Sequence, residues 1–277
     1  MIANARMYSV SAEVGALWRA LLSALFAQAG LPVTLIDHAE PAPIEELWQR
    51  SDMGAVFMCG LPFSRAEPQP LLVAAPVPSP PEFGGEARYS SDFVVREDSA
   101  FRTVPDTFGK RIALTVPGSQ SGCLAALTYF MAAHAEPPLF GEAIAPTITP
   151  LGALTAVISG TADIAPIDSY ALELLREYRP DLASRVRTVG QTVPTPIPPL
   201  VASQKGLDKE GLGALQAAFL GAHRSASLKS IMDKLLLQRF TRPDPASYVV
   251  LRERFEAARE YWGSHRFAAV THPAFAM

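Results

Sequence analysis

The chain has 277 residues, 49% of them hydrophobic and 18% charged, with a formal net charge of −3. That supplies ample apolar material for two lobes or one large α/β domain. It gives neither the basic footprint of a nucleic-acid binder nor a polybasic segment for an anionic membrane. No apolar run reaches the ~18–20 residues of a membrane span, so no direct membrane insertion is expected. The two cysteines, Cys59 and Cys123, lack CxxC spacing, which argues against a zinc site or a disulfide framework and for two free thiols.

In chain order, Arg6 to Val10 reads as a first strand. Ser11 then offers an N-cap, and Val14, Leu17, Trp18, Leu21, Leu22, Leu25 and Phe26 follow at helical spacing until Gly30 and Pro32. The run Val14 to Ala27 is broken by Arg19 and does not read as a secretory signal. The expectation is therefore periplasmic if a signal was removed, and cytoplasmic otherwise. Val33 to Ile36 is a second strand, Ile44 to Arg50 a helix, and Gly54 to Cys59 a buried strand. This β-α-β-α-β order predicts a parallel sheet with right-handed crossovers.

Leu71 to Pro78 continues as an apolar segment and Tyr89 to Arg96 is a strand. Arg111 to Val116 is a strand feeding Pro117-Gly118-Ser119-Gln120-Ser121-Gly122 and a helix from Cys123 to Ala135. Helices over Leu151 to Ser159 and Ser169 to Arg179 flank a strand over Ala162 to Pro166, so residues 93–190 read as a second α/β lobe. Gln191 to Pro199 carries four prolines and reads as a stiff return crossover. Leu212 to His223 and Ile231 to Phe240 both show helical apolar spacing. The expected division is 1–90 plus 195–277 for lobe one and 91–194 for lobe two.

The segment Ser119-Gln120-Ser121-Gly122 joins a strand to a helix. Unpaired N–H groups at the helix start, two hydroxyls and a glycine make a cradle for an oxyanion; the plainer reading is an N-cap that needs only one serine. Asp168, beyond a buried strand, is placed either to meet a cationic or hydroxyl part of a ligand or to cap the next helix. Asp163 reads as structural. Cys59 and Gly60 close a lobe-one strand at a sharp exit, made with Pro62, that is expected to bring Cys59 or Phe63 to the ligand cleft, with core packing of Phe57 and Met58 as the plainer reading. Tyr8 and Tyr89 stand where aromatic residues wall small-molecule pockets, or simply pack. The five histidines, His38, His134, His223, His265 and His272, show no metal-ligand spacing. No nucleophile constellation is present and GxSxG is absent. No metal, cofactor or catalytic residue is predicted.

These pieces occur in an order that resembles the PhnD-like, phosphate/phosphite/phosphonate-binding branch of type II periplasmic solute-binding proteins of ABC transporters. The resemblance rests on Met7-Tyr8, Asp52 to Phe63, Ser91 to Ser99, Phe108 to Ala113, Ser119 to Gly122, Ser159 to Asp168 and Thr192 to Pro199, and covers about residues 5–240. It implies a two-lobed α/β fold, each lobe a mainly parallel sheet flanked by helices, joined by two crossovers and closing a cleft on a small anion. It implies Ser119, Ser121 and Gly122 at the anion, Tyr8 and Tyr89 as walls, and Asp168 at the far end of the ligand. It also implies a monomer that docks on an ABC permease. The family's Gly-Ser-His-like turn reads Thr149-Pro150-Leu151-Gly152-Ala153 here, so the ligand is a phosphonate or another small acid. The competing readings are a cytoplasmic enzyme of the same fold acting on a small carboxylic acid, as in the menaquinone pathway, and the sensing lobe of a regulator.

Overall fold

In the computed structural model, which describes residues 1–133, 137–265 and 267–271, the chain forms two compact units. Unit 1 comprises Met1–Arg88 and Pro196–Tyr248; unit 2 comprises Tyr89–Thr195 and the chain from Val249 onward.

Unit 1 is built on a six-stranded sheet in the order Leu237–Thr241, Leu71–Pro78, Leu200–Ala202, Met53–Phe57, Ile2–Asn4, Thr34–Leu35. The last three are parallel, as the β-α-β-α-β pattern requires. The others run antiparallel to their neighbours, so this sheet is mixed rather than mainly parallel. The helix Ala12–Gln28 begins where the Ser11 hydroxyl accepts from Val14 N–H at 3.2 Å. Its Val14, Trp18, Leu21, Leu22, Leu25 and Phe26 are buried along one stripe. Gly30, at φ 68°, ends it, with Leu31 N–H returning to Phe26 O.

The first strand is Ile2–Asn4, ahead of the expected Arg6 to Val10. Asn4 stops it: its side chain accepts from Arg6 N–H at 2.8 Å and donates to Ile36 O at 2.9 Å. Arg6–Tyr8 is therefore a single tight turn. The expected helix over Ile231 to Phe240 is a helix, Ala226–Lys234, followed by the strand Leu237–Thr241. Leu236, at φ 53°, marks the change of direction, and the strand is recruited by pairing with Leu71–Pro78.

Unit 2 holds the strands Ala268–Thr271, Phe140–Ile144 and Arg111–Ala113, all parallel, and the antiparallel set Ala165–Asp168, Ser91–Arg96, Val186–Gln191. A parallel bridge between Ile112 and Ile164 joins the two sets. Unit 2 thus carries one parallel and one antiparallel three-stranded sheet rather than a single mainly parallel one. The strand Phe140–Ile144 carries no clear sequence signal, because Gly141 and Glu142 interrupt its apolar run. The expected strand from Tyr89 to Arg96 breaks at Ser90 into Arg88–Tyr89 and Ser91–Arg96. Arg88–Tyr89 pairs with Thr195–Pro196 in a small separate sheet.

The chain passes between units three times, not twice, because the C-terminal stretch expected in lobe one belongs with unit 2 from Val249 onward. The helix Val249–Ser264 is held there by Trp262, whose indole N–H donates to Leu127 O at 3.1 Å. Phe267 lies 5.7 Å from Phe130 and 5.3 Å from Phe140, centroid to centroid. The expected helix end at Ala135 lies outside the described residues, as do His134 and His272. No helix among the described residues is long and apolar enough to cross a membrane.

Asp163 is structural: its carboxylate accepts from Arg111 backbone N–H and Nε at 3.0 Å each and from Nη2 at 3.2 Å. Burial pushes this carboxyl up, but the Arg111 hydrogen bonds outweigh burial and hold it below the usual carboxylate range. The stabilisation is thus complete above the unfolded-state value of about 4 and is lost as pH falls through the lower folded-state value. Asp163→Asn is expected to cost about 1 kcal/mol at neutral pH, the pair being partly solvated, with the deficit vanishing in acid; urea titrations across pH check this. Phe130, fully buried among Phe93, Phe108, Phe140 and Phe267, should cost roughly 3–5 kcal/mol when changed to Ala, read by the same method.

Candidate functional site

Buried polar residues gather at one end of the unit 2 sheet, around the segment Ser90-Ser91-Asp92. Ser90 N–H donates to Ser169 Oγ at 3.1 Å while Ser169 N–H donates to Ser90 O at 3.0 Å. Ser91 N–H donates to Thr192 Oγ1 at 2.9 Å while Thr192 N–H donates to Ser91 O at 3.0 Å. These reciprocal pairs satisfy the backbone where it leaves the ladder, where unmet donors and acceptors would be costly. The Ser91 hydroxyl, 1% exposed, is left to donate to Ser121 O at 2.9 Å. One buried strand end therefore fixes the position of the turn singled out in the sequence.

That turn follows the strand Arg111–Ala113 and opens as a wide π-type turn, Gln120–Leu124, which continues into the α-helix Ala125–Ala132. Leu124 N–H reaches back to Ser119 O at 3.0 Å. Wide turns of this kind occur preferentially at functional sites. Ser119 Oγ accepts from Gly122 N–H at 3.0 Å, so Ser119 acts as the N-cap. Gln120 is buried. Ser121 is only partly buried, and among the described residues its hydroxyl has no hydrogen-bond partner; the Ser91 contact is to its carbonyl.

Gly122 is required on steric grounds. A Cβ there would lie 2.1 Å from Thr115 Oγ1 and 2.5 Å from Thr115 Cγ2. Thr115 N–H also donates to Gly122 O at 3.1 Å. The adjacent strand Phe140–Ile144 ends in a turn fastened to the same place: Thr147 N–H and Oγ1 both donate to Leu114 O at 3.0 Å. Thr149 accepts from Gly152 N–H at 3.0 Å and so caps the helix Pro150–Ile158.

Asp168 ends the strand Ala165–Asp168, paired with Ser91, and its Oδ1 accepts from Ala171 N–H at 2.9 Å. The capping role is present, and the carboxylate is buried. Burial, and next the nearby Asp168 charge, push the Tyr170 hydroxyl well above its ordinary value. Tyr89, at the entry to unit 2, is also buried.

The unit 1 candidates form a group of their own. Tyr8 is fully buried and meets Phe57 edge-on at 5.0 Å; Trp18 meets the same ring at 5.0 Å. Cys59 and Gly60 are buried at the start of the short helix Gly60–Arg65, and Met58 N–H donates to Pro199 O at 3.0 Å. The Tyr8 ring thus packs against the strand Met53–Phe57. Among the described residues no group of three or more metal-ligating side chains occurs. Sequence reasoning missed Ser91 and Thr192 as the residues that fix the turn, and Thr115 as the residue packed beneath it. A run of small hydroxyl residues at the mouth of an otherwise apolar strand is the signal that marks Ser91.

Two α/β units, the second with a hydroxyl-bearing strand-to-helix turn at the carboxyl end of its strands, give the class: a protein of the type II periplasmic-binding-protein fold. Solved structures share that fold. A binding-protein component of an ABC phosphonate transporter from Pseudomonas aeruginosa superposes with a TM-score of 0.78 at 18% identity, over 95% of this chain and 87% of its own. PhnD1 from Prochlorococcus marinus, in complex with methylphosphonate, gives 0.77 at 17% identity over 94% and 97%. A Xanthomonas citri protein bound to ATP gives 0.63 at 17% identity over 96% and 98%. No curated protein matches the sequence. The chain belongs to the family of periplasmic substrate-binding proteins of phosphonate ABC transporters, whose sequence model matches residues 8–248. The match stops where the chain returns to unit 2. Members of this family bind and deliver solutes rather than transform them, which sets aside the enzyme reading.

Two outcomes check this geometry. Gly122→Ala should destabilise the protein by about 1–3 kcal/mol through overpacking against Thr115, measured by thermal or urea unfolding. Cys123 is buried and its thiol is pushed up to about 12, so in a Cys59→Ser background an aromatic disulfide reagent at pH 8 should label it only after unfolding. Rapid labelling of the native protein would mean that the turn opens readily.

Proposed function

We propose that this chain is the solute receptor of an ABC importer and that it captures a small phosphonate-class oxyanion at the Ser119–Gly122 turn of unit 2. The observation that carries the reading is the division of labour within the turn. Ser119 is spent on the cap and the Ser121 carbonyl is held by Ser91, while the Ser121 hydroxyl has no partner among the described residues. A donor held in place by its backbone, at the start of a helical stretch, suits an anion because hydroxyl and dipole need no reorganisation on binding.

With Thr149 committed to its helix cap, the 149–153 turn offers no side chain equivalent to the family's histidine. In this reading the anion therefore depends on the 119–122 turn, and Asp168 meets a cationic or hydroxyl group at the other end of the ligand. Tyr89 serves as a wall in unit 2. Tyr8 stiffens the strand that presents Cys59 and Gly60 in unit 1. The methylphosphonate held by the Prochlorococcus relative is the reference ligand. Residence in the periplasm and delivery to a permease follow from the family and belong to the same proposal.

Calorimetric titration with methylphosphonate, phosphite and phosphate tests it. The proposal expects saturable binding of at least one of them, weakened about 10-fold or more in Ser121→Ala, the loss of one hydrogen bond to a charged group. At a net charge of −3 the protein's overall field does not attract an anion. Affinity should come from local donors and change little between 50 and 200 mM salt. Absence of binding, or equal binding by the variant, would contradict the assignment.

A further inference from the structure

The chain passes between the units at Arg88/Tyr89, Thr195/Pro196 and Tyr248/Val249. At the edge of unit 1 the three passages are fastened to one another through Ile197. Its N–H donates to Ala87 O at 3.0 Å, and its carbonyl accepts from the Tyr248 hydroxyl at 2.9 Å. The first two passages are also joined by the pairing of Arg88–Tyr89 with Thr195–Pro196 and by the bonds between Ser91 and Thr192. Tyr248 brings in the third. Its ring is 1% exposed and meets Phe63 edge-on at 5.1 Å. Ring packing alone would be served by phenylalanine, so the hydroxyl is there for its bond. Burial pushes this phenol above its ordinary value, so it keeps its proton and stays a donor. The helix Val249–Ser264 starts at the next residue, with no loop between. That helix packs in unit 2 on the turn Gln120–Leu124 and on the helix Ala125–Ala132, where Trp262 donates to Leu127 O.

Periplasmic binding proteins close around their ligands by bending at a few residues in the connections between units. In the second passage Pro194, Pro196, Pro198 and Pro199 have fixed φ, and Ile197 is bonded through both of its backbone groups, so this passage is stiff. We infer that Tyr248 is a positioning residue for ligand capture: its hydroxyl couples the helix packed on the Gln120–Leu124 turn to the passages joined at Ile197, so that seating the anion and bending the passages are one event. This rests on the proposed receptor reading and goes beyond it, since Tyr248 acts through other residues rather than on the anion. Without the hydroxyl the third passage moves independently of the other two. The closed, ligand-bound state then loses part of its advantage over the open one.

Tyr248→Phe keeps the ring against Phe63 and removes the tie. Calorimetry should find methylphosphonate bound about 5- to 10-fold more weakly, the net worth of one buried hydrogen bond. Phe219→Leu, a core change in unit 1 beside Phe240, should lower the melting temperature at least as much and leave the affinity within about 2-fold of wild type. Amide hydrogen exchange on 15N-labelled protein gives a second readout. In wild type, saturating methylphosphonate should slow exchange of the Ile197 amide more than that of Val201 in the unit 1 sheet; in Tyr248→Phe this extra slowing should be lost. Tyr248→Phe binding as tightly as wild type would overturn the role of Tyr248 and leave the site itself standing. So would an affinity loss matched by Phe219→Leu, or extra slowing at Ile197 that persists in Tyr248→Phe. Wild-type protein that binds none of methylphosphonate, phosphite and phosphate would overturn the receptor reading and the Tyr248 role together. Should Tyr248→Phe fail to fold, exchange in wild type decides: no extra ligand-dependent slowing at Ile197 would refute the coupling.

Discussion

The hydrogen bond from the Ser91 hydroxyl to the Ser121 carbonyl is the constraint on which the site depends. It lies in a buried setting, where an unmet carbonyl or hydroxyl costs far more than at the surface, so strand end and turn are fixed relative to each other. Ser91 can supply this bond because its own N–H and carbonyl are already engaged by Thr192, and because Ser90 and Ser169 clasp the neighbouring strand end. Around that point the polar groups fall into two sets. One set, including Ser119, Thr149 and Asp168, satisfies helix starts. The other, Ser121 and Thr115, has hydroxyls that serve no helix.

The consequence is a site whose rigidity comes from neighbours rather than from the binding groups themselves. The residues that hold the turn spend their hydrogen-bonding capacity on backbone, and binding therefore need not first break internal bonds. The sheet adds to this. Arg111–Ala113 and Phe140–Ile144 are adjacent and parallel, so their following turns emerge at the same edge. Thr147 ties the second of those turns to the first through Leu114. The C-terminal helix and strand brace Phe140–Ile144 from the other side through Trp262, Phe267 and the pairing of Ala268–Thr271.

Much of this was legible in the residues because it is local. Ser11, Gly30 and the apolar stripe from Val14 to Phe26 define a helix through short-range chemistry, and the Ser119–Gly122 turn announces itself between a strand and a helix. What was not legible depends on distant partners. Nothing near Leu237 says that its segment will add to the edge of Leu71–Pro78, so its apolar spacing reads as helix. The helix from Val249 to Ser264 is amphipathic in either unit, and distant partners decide its place, among them Leu127, 135 residues from Trp262, and the strand Phe140–Ile144 that pairs with Ala268–Thr271. Arg6 to Val10 reads as a strand because nothing local marks Asn4 as the residue that ends the strand before it. Ser91 and Thr115 look like ordinary strand residues until their partners, 30 and 7 positions away in the chain, are in view.

The most direct test of the account is where the anion touches the chain. Backbone amide spectra of 15N-labelled protein, recorded during titration with methylphosphonate, report this residue by residue. The account predicts the largest saturable shifts at Gln120, Ser121 and Gly122, with smaller ones at Thr115, whose N–H is bonded to Gly122 O, and at Ser91, whose hydroxyl holds the turn. Saturable shifts confined to other segments, with residues 115–122 unmoved, would contradict it.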